Sequence, residues 1–239
     1  MGITLITPTG GRPEAFELLE KYIADQTYSG PIQWIVVDDC EPRTRCTMGQ
    51  YVIHPEPSWS PGMGNTQYRN LLAALSAVDC DRILIIEDED VVRPGYLAMM
   101  RNRLEVAPIV GEVDSLYYNV RWRLAHECKN KAHSSLCQTG FRAEGLHALE
   151  AACKAEPQYI DMYLWEKFPQ LCRLFPYSAT NVGIKGMPGR GGAGGGHFDR
   201  RMNAEELELA RWTDDANMEI MRCWLGPEAE AYMKFYEGA

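Results

Sequence analysis

Apolar positions along this chain fall into short unbroken runs separated by stretches of helical periodicity. The run Ile3-Thr4-Leu5-Ile6-Thr7 is β-branched and apolar and stops at Pro8, the pattern of a buried strand. Gly10-Gly11-Arg12-Pro13 turns the chain, and Pro13 suits the first turn of a helix. Phe16, Leu18, Leu19, Tyr22 and Ile23 then recur at helical spacing to about residue 26. Beyond Gly30-Pro31, Gln33-Trp34-Ile35-Val36-Val37 is a second run with little polar alternation. Such runs fit a parallel sheet covered on both faces. The opening therefore predicts a βαβ unit with a right-handed crossover.

The same rhythm continues. A Pro- and Gly-rich loop over residues 41–64 contains a short strand, Tyr51-Val52-Ile53. A helix is predicted over 66–78, with Leu71, Leu72, Leu75 and Val78 on one face. Arg82-Ile83-Leu84-Ile85-Ile86 is the third clear strand. Further on the pattern predicts a helix over 96–105, a strand over 115–123 and a polar loop over 126–135. A short strand, Thr139-Gly140-Phe141-Arg142, helices over 144–155 and 160–168, and a strand over 172–175 follow. The Gly-rich stretch 183–196 reads as a lid carrying Lys185, Arg190 and His197. From Asn203 on the chain is helical, with Leu207, Ala210, Trp212, Met218, Met221 and Trp224 placed to dock. The expected architecture is α/β: a mostly parallel, Rossmann-like central sheet flanked by helices over 1–200, with a helical extension over 201–239 packed on it.

Composition adds limits. With 239 residues, 46% hydrophobic and 24% charged, one globular domain with elaborations is expected. A net charge of -9 argues against a broad electrostatic grip on nucleic acid, though a cleft's field is set locally. The eight cysteines form no Cys-x-x-Cys pair, which disfavours a zinc ribbon and suggests reduced thiols used as small hydrophobes. The start, Met1-Gly2-Ile3-Thr4-Leu5, lacks a basic then apolar leader, and Ile6 stands where a myristoylation site needs Ser or Thr. No apolar run approaches the roughly 18 residues that span a bilayer. A cytoplasmic protein without a membrane partner is the expectation.

The candidate chemistry sits at strand ends. Glu87-Asp88-Glu89-Asp90 follows the third strand, and open α/β sheets bind ligands beyond the carboxyl ends of their strands. In extended backbone Glu87 and Glu89 would face one side, Asp88 and Asp90 the other. Crowded carboxylates repel, and a hard divalent cation, Mg2+ or Mn2+, relieves them. Asp38-Asp39 closes the second strand and offers acceptors to a base or ribose. Thr7-Pro8-Thr9-Gly10-Gly11-Arg12-Pro13 closes the first, with Arg12 as a planar fork for phosphate. It is too short for a Walker A loop. Gly189-Arg190-Gly191-Gly192-Ala193-Gly194 matches a dinucleotide fingerprint literally, but it lies late in the chain, after Pro188, where no helix starts.

In this order, over about residues 3–197, these features resemble a family-2-type inverting glycosyltransferase of the GT-A fold. The resemblance rests on the Thr7 to Pro13 turn, on Val37-Asp38-Asp39, and on Gly64 followed by Arg69-Asn70. It rests also on an acidic motif before Arg93-Pro94-Gly95-Tyr96-Leu97. It implies a nucleoside-diphosphate sugar, UDP-linked, as donor, with Thr7, Pro8, Thr9, Arg12, Asp38, Asp39, Arg69, Asp88 and Arg190 binding it. Asp38 would read the nucleobase. It implies Mn2+ or Mg2+ held by Glu87, Glu89, Asp90 and His197. Glutamates replace the family's two aspartates at Glu87 and Glu89; the other register uses Asp88 and Asp90. Glu89 is the favoured direct ligand, with Asp88 on the ribose or the metal. The family's base is a carboxylate at a Glu-Asp-x-x-Leu-like helix start, matched here by Ile160-Asp161-Met162-Tyr163-Leu164 without the Glu. Asp161 would take the acceptor's proton.

The acceptor is open: a glycan, a small molecule, a protein or a modified base. A compact cytoplasmic chain suits a phage-type enzyme acting on hydroxymethylated pyrimidines in DNA. Arg121-Trp122-Arg123 with Lys129 and Lys131 would give it a basic, aromatic patch. A nucleotidyltransferase and a non-catalytic nucleotide-sugar binder are the alternatives. The former would want a Lys after its glycine-rich start.

Overall fold

The computed structural model describes residues 2–191 and 196–237. The first unit is β1 (Ile3–Thr9), α1 (Pro13–Ala24) and β2 (Ile32–Asp38), with β1 and β2 parallel from Ile3 opposite Ile32 to Thr9 opposite Asp38. The expected βαβ opening is therefore present. β3 (Tyr51–Ile53) adds in parallel to β2, and α2 (Gln67–Leu75) leads to β4 (Arg82–Ile85), parallel to β1.

Period-2 alternation then sorts the core onto two faces. Leu5, Trp34, Val36 and Leu84 point to one side and pack with Phe16, Leu19 and Ile23 of α1. Ile6, Ile35, Val37, Ile83 and Ile85 point to the other and pack with Leu71 and Ala74 of α2. Because both faces are covered, these strands carry no polar stripe, which is why they read as unbroken apolar runs.

After β4 the chain crosses into a second sheet. β5 (Asp90–Val92) starts it, and α3 (Tyr96–Arg103) packs behind. β6 (Ile109–Glu112) returns to the first sheet. β7 (Ser115–Asn119) and β8 (Leu124–Cys128) form an antiparallel hairpin in the second. β9 (Thr139–Arg142) inserts antiparallel between β4 and β6. α4 (Leu146–Ala155) and α5 (Ile160–Lys167) cover the α2 face, and β10 (Cys172–Phe175) pairs with β6. β11 (Asn181–Lys185) lies between β5 and β7. The sheets run β10-β6-β9-β4-β1-β2-β3 and, with β12 (Thr213–Asp214) at its edge, β12-β8-β7-β11-β5. The first is mostly parallel, with β9 the antiparallel member.

The remaining segments are α6 (Ala204–Ala210), β12 (Thr213–Asp214), α7 (Glu219–Leu225) and α8 (Ala229–Tyr232). α6 opens on a capping box, with the Asn203 side chain on the Glu206 N–H and the Glu206 side chain on the Asn203 N–H. β12 pairs with β8, and Met218, Met221, Leu225, Ala229, Tyr232 and Phe235 join the α1 side of the core. Tyr22 Oη donates to Tyr232 Oη at 3.0 Å. No described helix is long and apolar enough to cross a membrane, and all eight cysteines are free.

Three expectations need correction. Residues 115–123 are not one strand: the chain turns at 120–123 and returns as β8 through residues predicted to be loop. Val120-Arg121-Trp122-Arg123 has no glycine to announce that turn. Arg123 itself takes the left-handed conformation, at φ 52°. The acidic run is not extended: Asp90 N–H bonds the Glu87 carbonyl at 3.2 Å, closing a turn around Asp88-Glu89. Gly183 and Lys185 belong to no lid. They lie in β11, a strand buried along its length. Of the rest of that glycine-rich stretch, residues 192–195 lie outside the described residues.

Candidate active site

Loops at the carboxyl ends of β1, β3 and β4 meet the second sheet across a cleft of about 860 Å³. The turn Glu87-Asp88-Glu89-Asp90 is the seam, since it ends in β5 of the second sheet and follows β4 of the first. Pro8, Thr9, Arg12, Glu87, Glu89, Asp161, Arg190 and His197 all line the cleft. Thr7, Asp38, Asp39, Arg69, Asp88 and Asp90 stand behind that lining.

Arg12, just before α1, spans two acids of the seam. Its Nε and Nη2 meet Asp88 Oδ2 and Oδ1 at 3.2 and 2.8 Å, and Nη1 meets Glu89 Oε2 at 2.8 Å. Thr9 Oγ1 also donates to Asp88 Oδ2, at 2.6 Å. On the far side Lys185 Nζ lies 2.5 Å from Glu89 Oε1, and His197 Nε2 lies 3.2 Å from the same oxygen. Glu87 Oε1 accepts from Gln67 Nε2 at 2.7 Å, and Glu87 Oε2 stands 3.9 Å from Lys185 Nζ. Asp90 is internal to the turn, where its Oδ2 accepts the Glu87 N–H at 3.0 Å.

The charges follow from that packing. Burial by itself would raise the Glu89 carboxyl, but Lys185, Arg12 and His197 outweigh it and hold it far below the usual carboxylate range. Burial pushes Asp88 up to about 6, against the pull of Arg12 and Thr9. Burial and the neighbouring Glu87 push Asp90 well above its ordinary value. Burial works against charge on Lys185, yet Glu89 and Glu87 raise it above the ordinary lysine value.

These pairings decide how the donor set fits Mg2+ or Mn2+. Both oxygens of Glu89 and both of Asp88 face cationic side chains. What remains is Glu87 Oε2 at the cleft, beside an ammonium that repels a second cation, and Asp90 Oδ1, buried without a hydrogen-bond partner and outside the cleft lining. Among the described residues no three His, Cys, Asp or Glu side chains converge as metal ligands. As arranged, the set does not fit a divalent ion.

Beside the seam, Asp38 turns both oxygens to its own loop, accepting from Cys40 N–H at 3.1 Å and Thr44 N–H at 2.6 Å. Asp39 gathers Thr66, Arg69 and Arg190 at 2.5, 3.2 and 2.8 Å. Burial would raise its carboxyl, but these three donors bring it below the ordinary value. Thr7 Oγ1 accepts from Trp34 Nε1 at 3.0 Å, inside the sheet. Arg190 also gives Nη2 to Thr66 Oγ1 at 2.7 Å and stacks 4.4 Å from the Trp59 ring centroid. Its backbone N–H holds the Gly11 carbonyl at 3.1 Å. Gly189 before it has φ +106°, and a Cβ there would collide with that carbonyl.

Across the cleft stands Asp161, in the first turn of α5, with Gln158 and Tyr159 beside it. Burial raises its carboxyl, against the Met162 N–H and the charge of His133. Tyr117, His126, His133 and Trp212 complete this wall. None of the four was picked out for this cleft from sequence, nor were Trp59, Thr66 and Gln67. Thr66 and Gln67 lie inside the quoted Gly64 to Asn70 motif; the others carry no local signal. Three of the four cations of the basic patch hold partners within the chain. Arg121 pairs with Glu237 at 2.7 Å, Arg123 donates to the Ala216 carbonyl at 3.0 Å, and Lys129 lies 3.4 Å from Asp114 and from Glu127.

No protein-family model and no curated protein matches the sequence. Solved structures do resemble the fold. The chain matches S. aureus TarS at a TM-score of 0.54 and 15% identity, over 78% of this chain and 37% of that one. It matches S. aureus TarS 1-349 in complex with UDP at a TM-score of 0.54 and 14% identity, over 77% of this chain and 60% of that one. The complex of the same fragment with UDP-GlcNAc gives 0.50 and 15%, over 98% and 71%. The match thus spans little more than a third of the first TarS chain. The likeness establishes a GT-A-like α/β fold.

Proposed function

We propose that this chain is a glycosyltransferase that moves a sugar from a nucleoside-diphosphate donor, UDP-linked, to a hydroxyl acceptor, with inversion. The observation that carries this reading is the opposition, across one cleft, of a wall of N–H donors held on carboxylates and a half-buried carboxylate. Arg12, Lys185, Arg190 and His197 supply the donors, Glu89 and Asp39 hold them in place, and Asp161 faces the same space. Nucleoside diphosphates are polyanions, and guanidinium and ammonium groups are the donors that recognise them. The GT-A-like fold, shared with structures that hold UDP and UDP-GlcNAc, supports the donor class.

In the reaction the Asp161 carboxylate takes the proton of the acceptor hydroxyl. The freed oxygen lone pair forms a bond to the anomeric carbon. The bond from that carbon to the diphosphate oxygen breaks, and its electron pair leaves with the diphosphate. Lys185 and Arg12 meet that developing charge. The raised carboxyl of Asp161 is a stronger base than a solvated aspartate.

A thermal-shift screen of nucleoside diphosphates, followed by donor turnover in wild type and Asp161→Asn, tests the reading. Ligand-specific stabilisation and loss of turnover in the variant are expected. A protein that binds no nucleoside diphosphate would refute the proposal.

A further inference from the structure

Glu89 is surrounded by the chain's own N–H donors: the Lys185 ammonium on β11, the Arg12 guanidinium before α1, and the His197 ring. These donors come from three separate segments of sequence and converge on one turn. A divalent ion at Glu89 would have to displace the Lys185 ammonium, which is nearly buried at 6% exposure. An ion on Glu87 Oε2 would sit beside that ammonium, 3.9 Å from the oxygen. The electrostatic reason for a metal, uncompensated carboxylates, is absent at Asp88 and Glu89.

The ammonium still has capacity. It carries three N–H donors, one of which Glu89 takes. Arg12, Arg190 and His197 line the same cleft.

We infer that Lys185, with Arg12, takes the place of a divalent cation in gripping the donor's diphosphate, so that donor binding needs neither Mg2+ nor Mn2+. This rests on the sugar-nucleotide reading above. It goes further by making a built-in cation pair the anchor and by assigning Lys185, which the sequence placed only in a loop.

Calorimetric titration with UDP in EDTA, and again with excess Mn2+ or Mg2+, tests it on the full chain. The wild-type dissociation constant is expected to change by less than about threefold between these conditions. Lys185→Met should bind UDP at least about tenfold more weakly in EDTA, as loss of a charge-assisted contact implies. Lys185→Arg should recover most of that affinity. A melting curve for each variant establishes that it is folded, and the wild-type comparison decides the metal question even if Lys185→Met does not fold. UDP binding that strengthens tenfold or more with metal, about 1.4 kcal/mol, overturns the inference and leaves the glycosyltransferase reading standing. A folded Lys185→Met that binds UDP as wild type does in EDTA also overturns it. If UDP, GDP, CDP and ADP all fail to bind under either condition, the sugar-nucleotide reading falls and the inference falls with it.

Discussion

The guanidinium of Arg190 lies 4.4 Å from the centre of the Trp59 ring while its Nη1 holds Asp39 at 2.8 Å. One side chain thereby ties the loop after β2 to the segment after β11. Both Arg190 and Trp59 line the cleft in which the donor is proposed to bind. Arg190→Ala removes a buried carboxylate's partner and a ring contact together. The expected outcome is a rise of about tenfold or more in donor KM, with the fold retained. Trp59→Ala removes the cation–π contact and the indole hydrogen bond to the Gly64 carbonyl but leaves the Arg190–Asp39 pair, and should raise KM by about two- to fivefold. Steady-state kinetics at varied donor concentration measure both; unchanged KM in Arg190→Ala would remove it from the donor site.

If Asp161 is the base of the proposed reaction, it is expected to set the acid limb of the rate profile. Its carboxyl is raised by burial, and only the ionised form accepts a proton. Activity should therefore fall as pH falls, with a midpoint above the ordinary aspartate value of about 3.9. Asp161→Asn should lose about a hundredfold or more in kcat, and its residual rate should lack that limb. The profile of kcat/KM against pH in both proteins is the check. An identical limb in the variant would assign the titration to another group.

Glu89 and Lys185 should be coupled in stability. Removing the acid alone leaves an ammonium buried without its main partner. Glu89→Gln is expected to cost about 3–5 kcal/mol. Glu89→Gln with Lys185→Met should cost less than the sum of the two single changes. The sign of the pH effect is fixed by the depressed Glu89 carboxyl. Its contribution is complete above the unfolded glutamate value of about 4.3 and is lost as pH falls toward the folded value. Urea unfolding of wild type and Glu89→Gln should thus show their gap narrowing in acid. A constant gap from neutral to acid pH would contradict this account.

Duplex DNA should not be retained in a gel shift at about 50 mM salt. Arg121, Arg123 and Lys129, which the sequence grouped into a basic patch, each hold an internal partner. Retention with a steep loss on adding salt would instead support the modified-pyrimidine acceptor.

Much of the scaffold was visible in the chain because β1, β2 and β4 are buried on both faces and therefore written in Ile, Val and Leu. β6 and β8 were invisible for opposite reasons. β6 is four residues long and includes Gly111, which leaves room for Ser134 and Trp165. β8 reads Leu-Ala-His-Glu-Cys, half polar because its far end is only partly buried. Gly183 looked like loop but serves a strand, lying flat against the Tyr117 ring. At the site, the carboxylates at strand ends were legible because position along a strand is local information. Their partners were not: Lys185 meets Glu89 across 96 residues of chain, and only the second sheet brings them together.

The hydroxyl pair Tyr22–Tyr232 has a practical consequence for anyone shortening this polypeptide. Leu225, Ala229, Tyr232 and Phe235 lie in the same apolar layer as Phe16 and Leu19, so the last stretch is a lid on the first helix. A version ending near residue 224 would bare that greasy surface and should precipitate on expression.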